Sequence, residues 1–341
     1  MPKQMPTRPL VEQLEEVVQG ILVSLQPRLE ATPHANLAPL AAIARELRHL
    51  PREEFRAVLK SDLQRRASMS AHESTKSPAA TAPAKAVHYL RPGFTSITPY
   101  IIVDRAADFL EFLKNAFDGA ERLRVPAPDG TLMHAEVAIG NGMIEAGDAN
   151  AQIPPAPTDI HLYVNNADAA FDRALAAGAT SIYRPTDEHP SGDRWGALKD
   201  PFGNNWYIAT PKRWALDSPG ALRSVQPYLH LRNAHNMIPF MEAAFGAEAM
   251  GVHKSPDGIV HHATMRIGNA TLEIDEAHGD YQPKPCHLHV YVPDADAMYA
   301  QALRAGAVSV EAPNDKPYGD RSAAVKDAFG NTWYLNTFLD R

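Results

Sequence analysis

Asp200-Pro201-Phe202-Gly203-Asn204-Asn205-Trp206-Tyr207 is written twice in this chain, returning as Asp327-Ala328-Phe329-Gly330-Asn331-Thr332-Trp333-Tyr334. Each copy reads as a β-turn feeding a strand: Asp opens the turn, Gly or Asn supplies the left-handed position, and Trp-Tyr starts a partly buried strand. Working outward, Thr98-Pro99-Tyr100 recurs as Gln226-Pro227-Tyr228, 128 positions on. His134-Ala135, His161-Leu162-Tyr163-Val164 and Ala177-Gly178-Ala179 recur as His262-Ala263, His289-Val290-Tyr291-Val292 and Ala305-Gly306-Ala307 at that same offset. Gly192-Asp193-Arg194 recurs as Gly319-Asp320-Arg321 at 127, so one residue is missing from the loop before it, where such changes are tolerated. Markers that keep register over this distance mean a duplicated unit.

Inside the first copy, about 94–212, the pattern is strand-helix-strand-strand-strand, twice. Ser96 to Val103 alternates as a strand. Asp104 then stands as the cap of a helix whose Phe109, Leu110, Leu113 and Phe117 face inward, closed by Gly119. Strands follow over Glu121–Pro126, Thr131–Ile139 and Met143–Gly147, and the plan repeats from Asp159 to Thr210. The second copy, about 222–341, matches it. The expected architecture is α+β: two tandem domains, each of two βαβββ units. Each unit is a four-stranded sheet, apolar toward its helix, and the two sheets curl around one cup that could hold a small ligand.

Ahead of the copies, residues 1–70 carry three apolar stripes at helical spacing: Val11 to Leu25, Leu37 to Leu47, and Phe55 to Leu63. Such short helices are stable mainly through packing, which suggests self-association or protein docking. Residues 71–93, rich in Ser, Ala, Thr, Pro and Lys, read as a solvated linker.

Thirty-three basic against 40 acidic residues give a formal charge of −7, which argues against nucleic-acid or anionic-membrane binding, since both need clustered Lys/Arg. Cys286 is the only cysteine, so no intrachain disulfide forms and a cytoplasmic setting is expected. No apolar run approaches the ~20 residues that span a bilayer.

The sequence resembles the vicinal-oxygen-chelate superfamily (glyoxalase I, bleomycin-resistance proteins, extradiol dioxygenases), and within it the PhnB-like branch. The residues that carry the resemblance are Thr98-Pro99-Tyr100-Ile101-Ile102-Val103-Asp104, Pro128-Asp129-Gly130-x-x-Met133-His134-Ala135-Glu136, His161-Leu162-Tyr163-Val164, Gly192-Asp193-Arg194 and Asp200-Pro201-Phe202-Gly203. It implies a glyoxalase-like fold from about residue 94 onward and a small-molecule ligand. Function is left open between a binding protein with little or no catalysis and a lyase or isomerase using nickel, zinc, manganese, cobalt or iron.

In metal-using relatives four ligands line the cup, from the first, fourth, fifth and eighth strands. The resemblance maps these onto Thr98, Glu145, Asp159 and Tyr207 in the first copy, and Gln226, Glu273, His287 and Tyr334 in the second. Gln226, Glu273 and His287, with Glu145 in the other copy, are thus the implied metal candidates. Tyr207 and Tyr334 stand where a carboxylate is expected, which removes a ligand and a base. If the halves are exchanged between copies, the sets become Thr98, Glu145, His287, Tyr334 and Gln226, Glu273, Asp159, Tyr207.

Strand alternation puts His161 on the face of Asp159, His289 on that of His287, and His230 on that of Gln226. With His134, His262, Tyr100, Tyr163, Tyr228, Tyr291, Tyr207, Tyr334 and Trp195 they are the candidate walls of the cup. Trp206 and Trp333 read as core, and Asp193-Arg194 and Asp320-Arg321 as turns with internal salt bridges, the alternative being guanidiniums aimed at an anionic ligand. Cys286 faces away from His287 and is not a nucleophile paired with it.

Overall fold

The computed structural model describes residues 89–212 and 224–339. The helices expected over 1–70 and most of the linker lie outside the described residues. The described chain holds four βαβββ modules. The first has β1 (Ile97–Val103), α1 (Ala106–Phe117), β2 (Ala120–Pro126), β3 (Leu132–Ile139) and β4 (Gly142–Asp148); the second has β5 (Asp159–Tyr163), α2 (Ala167–Ala176), β6 (Thr180–Thr186), β7 (Arg194–Lys199) and β8 (Asn205–Thr210). The third has β9 (Val225–Leu231), α3 (Met237–Phe245), β10 (Glu248–Lys254), β11 (Val260–Ile267) and β12 (Ala270–Glu276); the fourth has β13 (His287–Tyr291), α4 (Ala295–Arg304), β14 (Val308–Asp315), β15 (Asp320–Lys326) and β16 (Thr332–Phe338).

Four separate four-stranded sheets do not form. The modules join into two open eight-stranded sheets, and they join across the copies. Sheet A runs β14-β15-β16-β13-β1-β4-β3-β2, the fourth module against the first; sheet B runs β10-β11-β12-β9-β5-β8-β7-β6, the third against the second. The seams are antiparallel: Thr98 faces His289 and Tyr100 faces His287 across β1–β13, while Asp159 faces Tyr228 and His161 faces Gln226 across β5–β9.

The hydrophobic cores follow a different partition. Phe109, Leu110, Leu113 and Phe171 pack with Ile101, Val137, Leu162 and Trp206 in one cluster, almost wholly from the first copy. Met237, Met241 and Phe245 pack with Leu229, Met265, Leu288 and Trp333 in another, almost wholly from the second. Alternation explains how both partitions coexist: every second residue of a strand buries against the helices of its own copy, while the residues between them face the other side of a sheet shared with the other copy.

Reciprocal clasps hold the copies in register. Ser224, ahead of β9, donates its backbone N–H to Asn141 Oδ1 at 2.7 Å, and Ser96, ahead of β1, donates its own to Asn269 Oδ1 at 2.8 Å. The serine hydroxyls accept from the Asn141 and Asn269 backbone N–H groups, both at 3.1 Å. Gly140 and Gly268 make the approach possible: φ is +56° and +57°, and a Cβ at either would lie 2.2 Å from the serine Oγ.

The repeated turn is the same object in both sheets. Asp200 Oδ1 accepts the backbone N–H of Phe202 and of Asn204, both at 2.9 Å, and Oδ2 accepts Asn204 Nδ2 at 2.8 Å and Trp206 Nε1 at 2.9 Å. Asp327 makes the four equivalent bonds to Phe329, Asn331 and Trp333. Gly203 and Gly330 take the left-handed positions, and both tryptophans are fully buried in the cores.

Three local expectations are corrected. Asp104 does not cap α1; the side chain of Asp148, at the end of β4, accepts the Ala106 N–H at 2.8 Å, because the adjacent strand end brings a carboxylate to the helix start. Asp118, not Gly119, takes the left-handed position that ends α1. Arg194 and Arg321 do not pair with the aspartates beside them: Arg194 grips Asp168 on α2 at 2.5 and 2.7 Å and Arg321 grips Asp296 on α4 at 2.7 Å. Side chains adjacent on a strand point to opposite faces, so the arginines reach the helices while Asp193 and Asp320 turn to the other side.

Candidate functional site

The outward face of each sheet is polar and aromatic, and the pairing of modules decides which residues share it. Sheet A presents Thr98, Tyr100, His134, Glu136, Glu145, His287, His289, Tyr291, Asp320 and Tyr334; sheet B presents Asp159, His161, Tyr163, Trp195, Tyr207, Gln226, Tyr228, His230, His262, Glu273 and Asp275. Gln226 and Glu273 therefore lie on sheet B, and His287 and Glu145 on sheet A. The expected grouping of Gln226, Glu273 and His287 is not made, because β13 pairs with β1 rather than with the third module. The exchanged sets are the ones the fold assembles.

On sheet B these groups pair with one another. Glu273 Oε2 lies 2.7 Å from His161 Nδ1 and Oε1 accepts the Tyr163 hydroxyl at 3.2 Å. Burial pushes the Glu273 carboxyl up, but His161, His262 and Tyr163 outweigh it and hold it below the ordinary range. Gln226 Oε1 accepts from Thr271 Oγ1 at 2.7 Å. Asp159 Oδ1 accepts from Lys284 Nζ at 2.6 Å, and its Oδ2 lies 3.3 Å from His230 Nε2. The other ring nitrogen of His230 meets Asp275, and the Tyr207 hydroxyl sits 2.9 Å from Nε2. Burial raises Asp159, with Lys284 and His230 opposing it. Trp195 stacks between His189 and Tyr207, at centroid distances of 4.5 and 5.9 Å.

Sheet A is built differently. Its counterparts of His230 and Asp275 are Ile102 and Gly147, paired in register just as those two are. His289 Nδ1 lies 2.8–3.0 Å from the Glu145 carboxylate, His287 Nδ1 lies 3.0 Å from the Tyr334 hydroxyl, and Tyr100 stacks on His134. Arg91 Nη1 lies 2.7 Å from Glu136 Oε1. Residues 89–93, expected as the end of the linker, are thus part of the site: Tyr89 O accepts the Phe338 N–H at 3.0 Å, and Leu90 packs with Phe94, Met143 and Tyr291.

Burial, and then Lys326, push the His287 imidazole down to about 4, while burial, Glu311 and Glu145 push the Tyr334 phenol up to about 12. Both are neutral at pH 7. Since the folded pKa of His287 is depressed, its contribution is present above the unfolded value near 6.5 and is lost as pH falls from there through 4. Because the ring is partly exposed, we expect about 1–2 kcal/mol of this loss rather than the full linkage value. Urea midpoints of the wild type and His287→Gln between pH 7 and 4 check it: the wild-type curve should fall more steeply.

Whether a divalent ion suits the four inherited ligand positions is answered by what they already hold. On sheet B a lysine ammonium occupies Asp159, and Glu273 has both oxygens engaged. On sheet A two of the four are Thr98 and the neutral Tyr334, and the remaining pair, Glu145 and His287, bond to different partners. These positions do not fit an ion that needs about three converging protein ligands. A different trio, His134, Glu136 and Glu145, does bring one ligand atom each to within 4.8 Å of one another.

Asp275 could have been found by alternation, since it follows Glu273 by two on one strand. Arg91 and Lys284 could not: both lie outside the strands, and only the folded chain carries them to the carboxylates.

Two α+β domains of paired βαβββ modules, polar on their outward sheet faces, define the class. The profile of the Glyoxalase/Bleomycin resistance protein/Dioxygenase superfamily matches residues 87–208 and again 230–335, and the chain belongs to that superfamily. Uncharacterized proteins of Mycobacterium bovis and Mycobacterium tuberculosis are 37% identical over 129 residues, covering 35% of this chain and 84% and 75% of theirs. The structure of glyoxalase I from Zea mays superposes with a TM-score of 0.56 at 13% identity, over 70% of this chain and 91% of that one, a likeness of fold. Among the described residues no helix is long and apolar enough to cross a membrane.

Proposed function

We propose that this protein binds a small organic molecule against the polar, aromatic faces of its sheets, as a PhnB-like relative of the bleomycin-resistance proteins, without a metal at the four inherited ligand positions. One observation carries the reading: those positions pair with neighbouring side chains of the same chain, most plainly Asp159 with Lys284 and Glu273 with His161 and Tyr163. Rings such as Tyr100, Tyr228, Trp195 and Tyr334 are left as surfaces for a ligand body. The single buried Cys286 suits a reducing, cytoplasmic setting, and residues 1–70 serve as a docking segment in this reading.

The test is thermal unfolding of the full chain with chelator, with nickel, zinc, manganese, cobalt or iron(II), and with a library of small aromatic compounds. Metal and chelator should leave Tm unchanged and members of the library should raise it, since a ligand that binds only the native state stabilises it by mass action. Stoichiometric metal in the purified protein, lost in Glu145→Gln, would favour a second reading, in which His134, Glu136 and Glu145 hold an ion on sheet A.

A further inference from the structure

The two polar faces are not equally complete. Among the described residues, five buried side-chain atoms lack an assigned hydrogen bond, and four belong to sheet A: Thr98 Oγ1, Asp320 Oδ1, Asn336 Oδ1 and Glu145 Oε2, the last with only the His289 imidazole, 2.8 Å away, beside it. The fifth, His161 Nε2, is on sheet B. All four on sheet A can accept a hydrogen bond, and their residues are essentially fully buried, at 0–1% exposure. Thr98 sits across the β1–β13 seam from His289, which touches Glu145; Asn336 pairs with Tyr291, whose hydroxyl donates to Asp320 Oδ2 at 3.0 Å, through the β13–β16 ladder.

Charge points the same way. Glu136, Glu145 and Asp320 are three buried carboxylates, and among the described residues the one permanent cation paired with them is Arg91, engaged with Glu136. The imidazoles are His134 beside Glu136, His289 beside Glu145, and His287 on Tyr334. Around them stand the rings of Tyr100, Tyr291, Tyr334 and Phe94, with Tyr100 and His289 partly open to solvent. Buried acceptors without donors are costly, and burying them beside aromatic faces is the arrangement that recognises an organic cation.

We propose that sheet A is the ligand-binding face and that its ligand is an organic cation bearing several N–H donors, an ammonium or amidinium on an aromatic body, while the self-paired polar network of sheet B is structural. This rests on the small-molecule reading above and narrows it. The acceptors are spread over β1, β4, β15 and β16, so a multi-donor group reaches them better than a point ion does. Arg91 is the resident stand-in: its guanidinium shows the chemistry the face accepts.

Calorimetric titration of the full chain with benzamidine and phenethylamine, against their neutral counterparts benzamide and 2-phenylethanol and against zinc chloride alone, tests it. The cations should bind at least tenfold more tightly than the neutral compounds. Glu145→Gln and Asp320→Asn should each weaken them tenfold or more, Thr98→Val should do so more mildly, and Asp172→Asn on the exposed face of α2 should change nothing. Arg91→Met, which removes the competing charge, should tighten binding severalfold. Circular dichroism confirms that each variant is folded. Neutral compounds binding as well as cations, indifference to all three sheet A substitutions, or zinc alone binding more tightly than the amines would each overturn the proposal. In the first two cases the small-molecule reading survives; failure of every organic probe here and throughout the wider library would remove both.

Discussion

Asp200→Ala is expected to cost about 3–5 kcal/mol of folding free energy, since each buried donor left without an acceptor costs about 1–3 kcal/mol and several are stranded together. Four donors lose their acceptor at once: two backbone N–H groups, the Asn204 amide and the Trp206 indole. The Asn204 and Trp206 donors cannot turn to water, because both residues are fully buried; only the N–H of the half-buried Phe202 can recover part of its loss. Asn204 in turn holds the Thr158 N–H ahead of β5, so the damage reaches the seam strand of sheet B. Asp200→Asn should be nearly as harmful, since its amide would place a donor against two donors. Asp327→Ala should match it on sheet A, and the two losses should add, because the turns serve different sheets and different cores. Urea unfolding gives the answer; a midpoint within error of wild type for either alanine variant would show that the turn is not what anchors these strands.

The second large effect lies in the network of sheet B. His230→Ile alone should cost about 3–5 kcal/mol, because it leaves the Asp275 and Asp159 carboxylates buried with a partner missing. The chain itself suggests the remedy. At the matching positions of sheet A stand Ile102 and Gly147, an apolar pair in the same register. Combining His230→Ile with Asp275→Ala should therefore recover a large part of the loss, about 1–3 kcal/mol of coupling. A double-mutant cycle by urea unfolding measures it, and strictly additive losses would mean that the histidine and the aspartate do not act as a unit. Lys284 should matter more in the single variant than in the double one, since it then becomes the main compensation for Asp159.

Much of this protein could be read from its residues because the information is local. The repeated Asp-x-Phe-Gly-Asn turn, the inward stripe of Phe109, Leu110, Leu113 and Phe117, and the alternation along each strand depend only on near neighbours and on the burial of one face. So do the duplication, the α+β class and the parity that sends His161 and His289 outward while Trp206 and Trp333 go inward. The N-terminal cap of α1 escaped because it was decided by the end of β4 beside it, through Asp148, rather than by the helix's own residues.

Which strand lies beside β1 was not local information. Asp159-Ile160-His161-Leu162-Tyr163 and His287-Leu288-His289-Val290-Tyr291 offer nearly the same edge and the same alternation, so residue pattern alone gives β1 no preference between them. The choice falls to tertiary terms: the Ser96–Asn269 and Ser224–Asn141 clasps, and helices that must bury against their own copy. That choice put Glu273 and His287 on different sheets, brought His289 to Glu145 and His161 to Glu273, and left more buried polar atoms without a hydrogen bond on one polar face than on the other. The sequence determined the modules; the pairing of two equivalent edges, settled by contacts far apart in the chain, determined the sites.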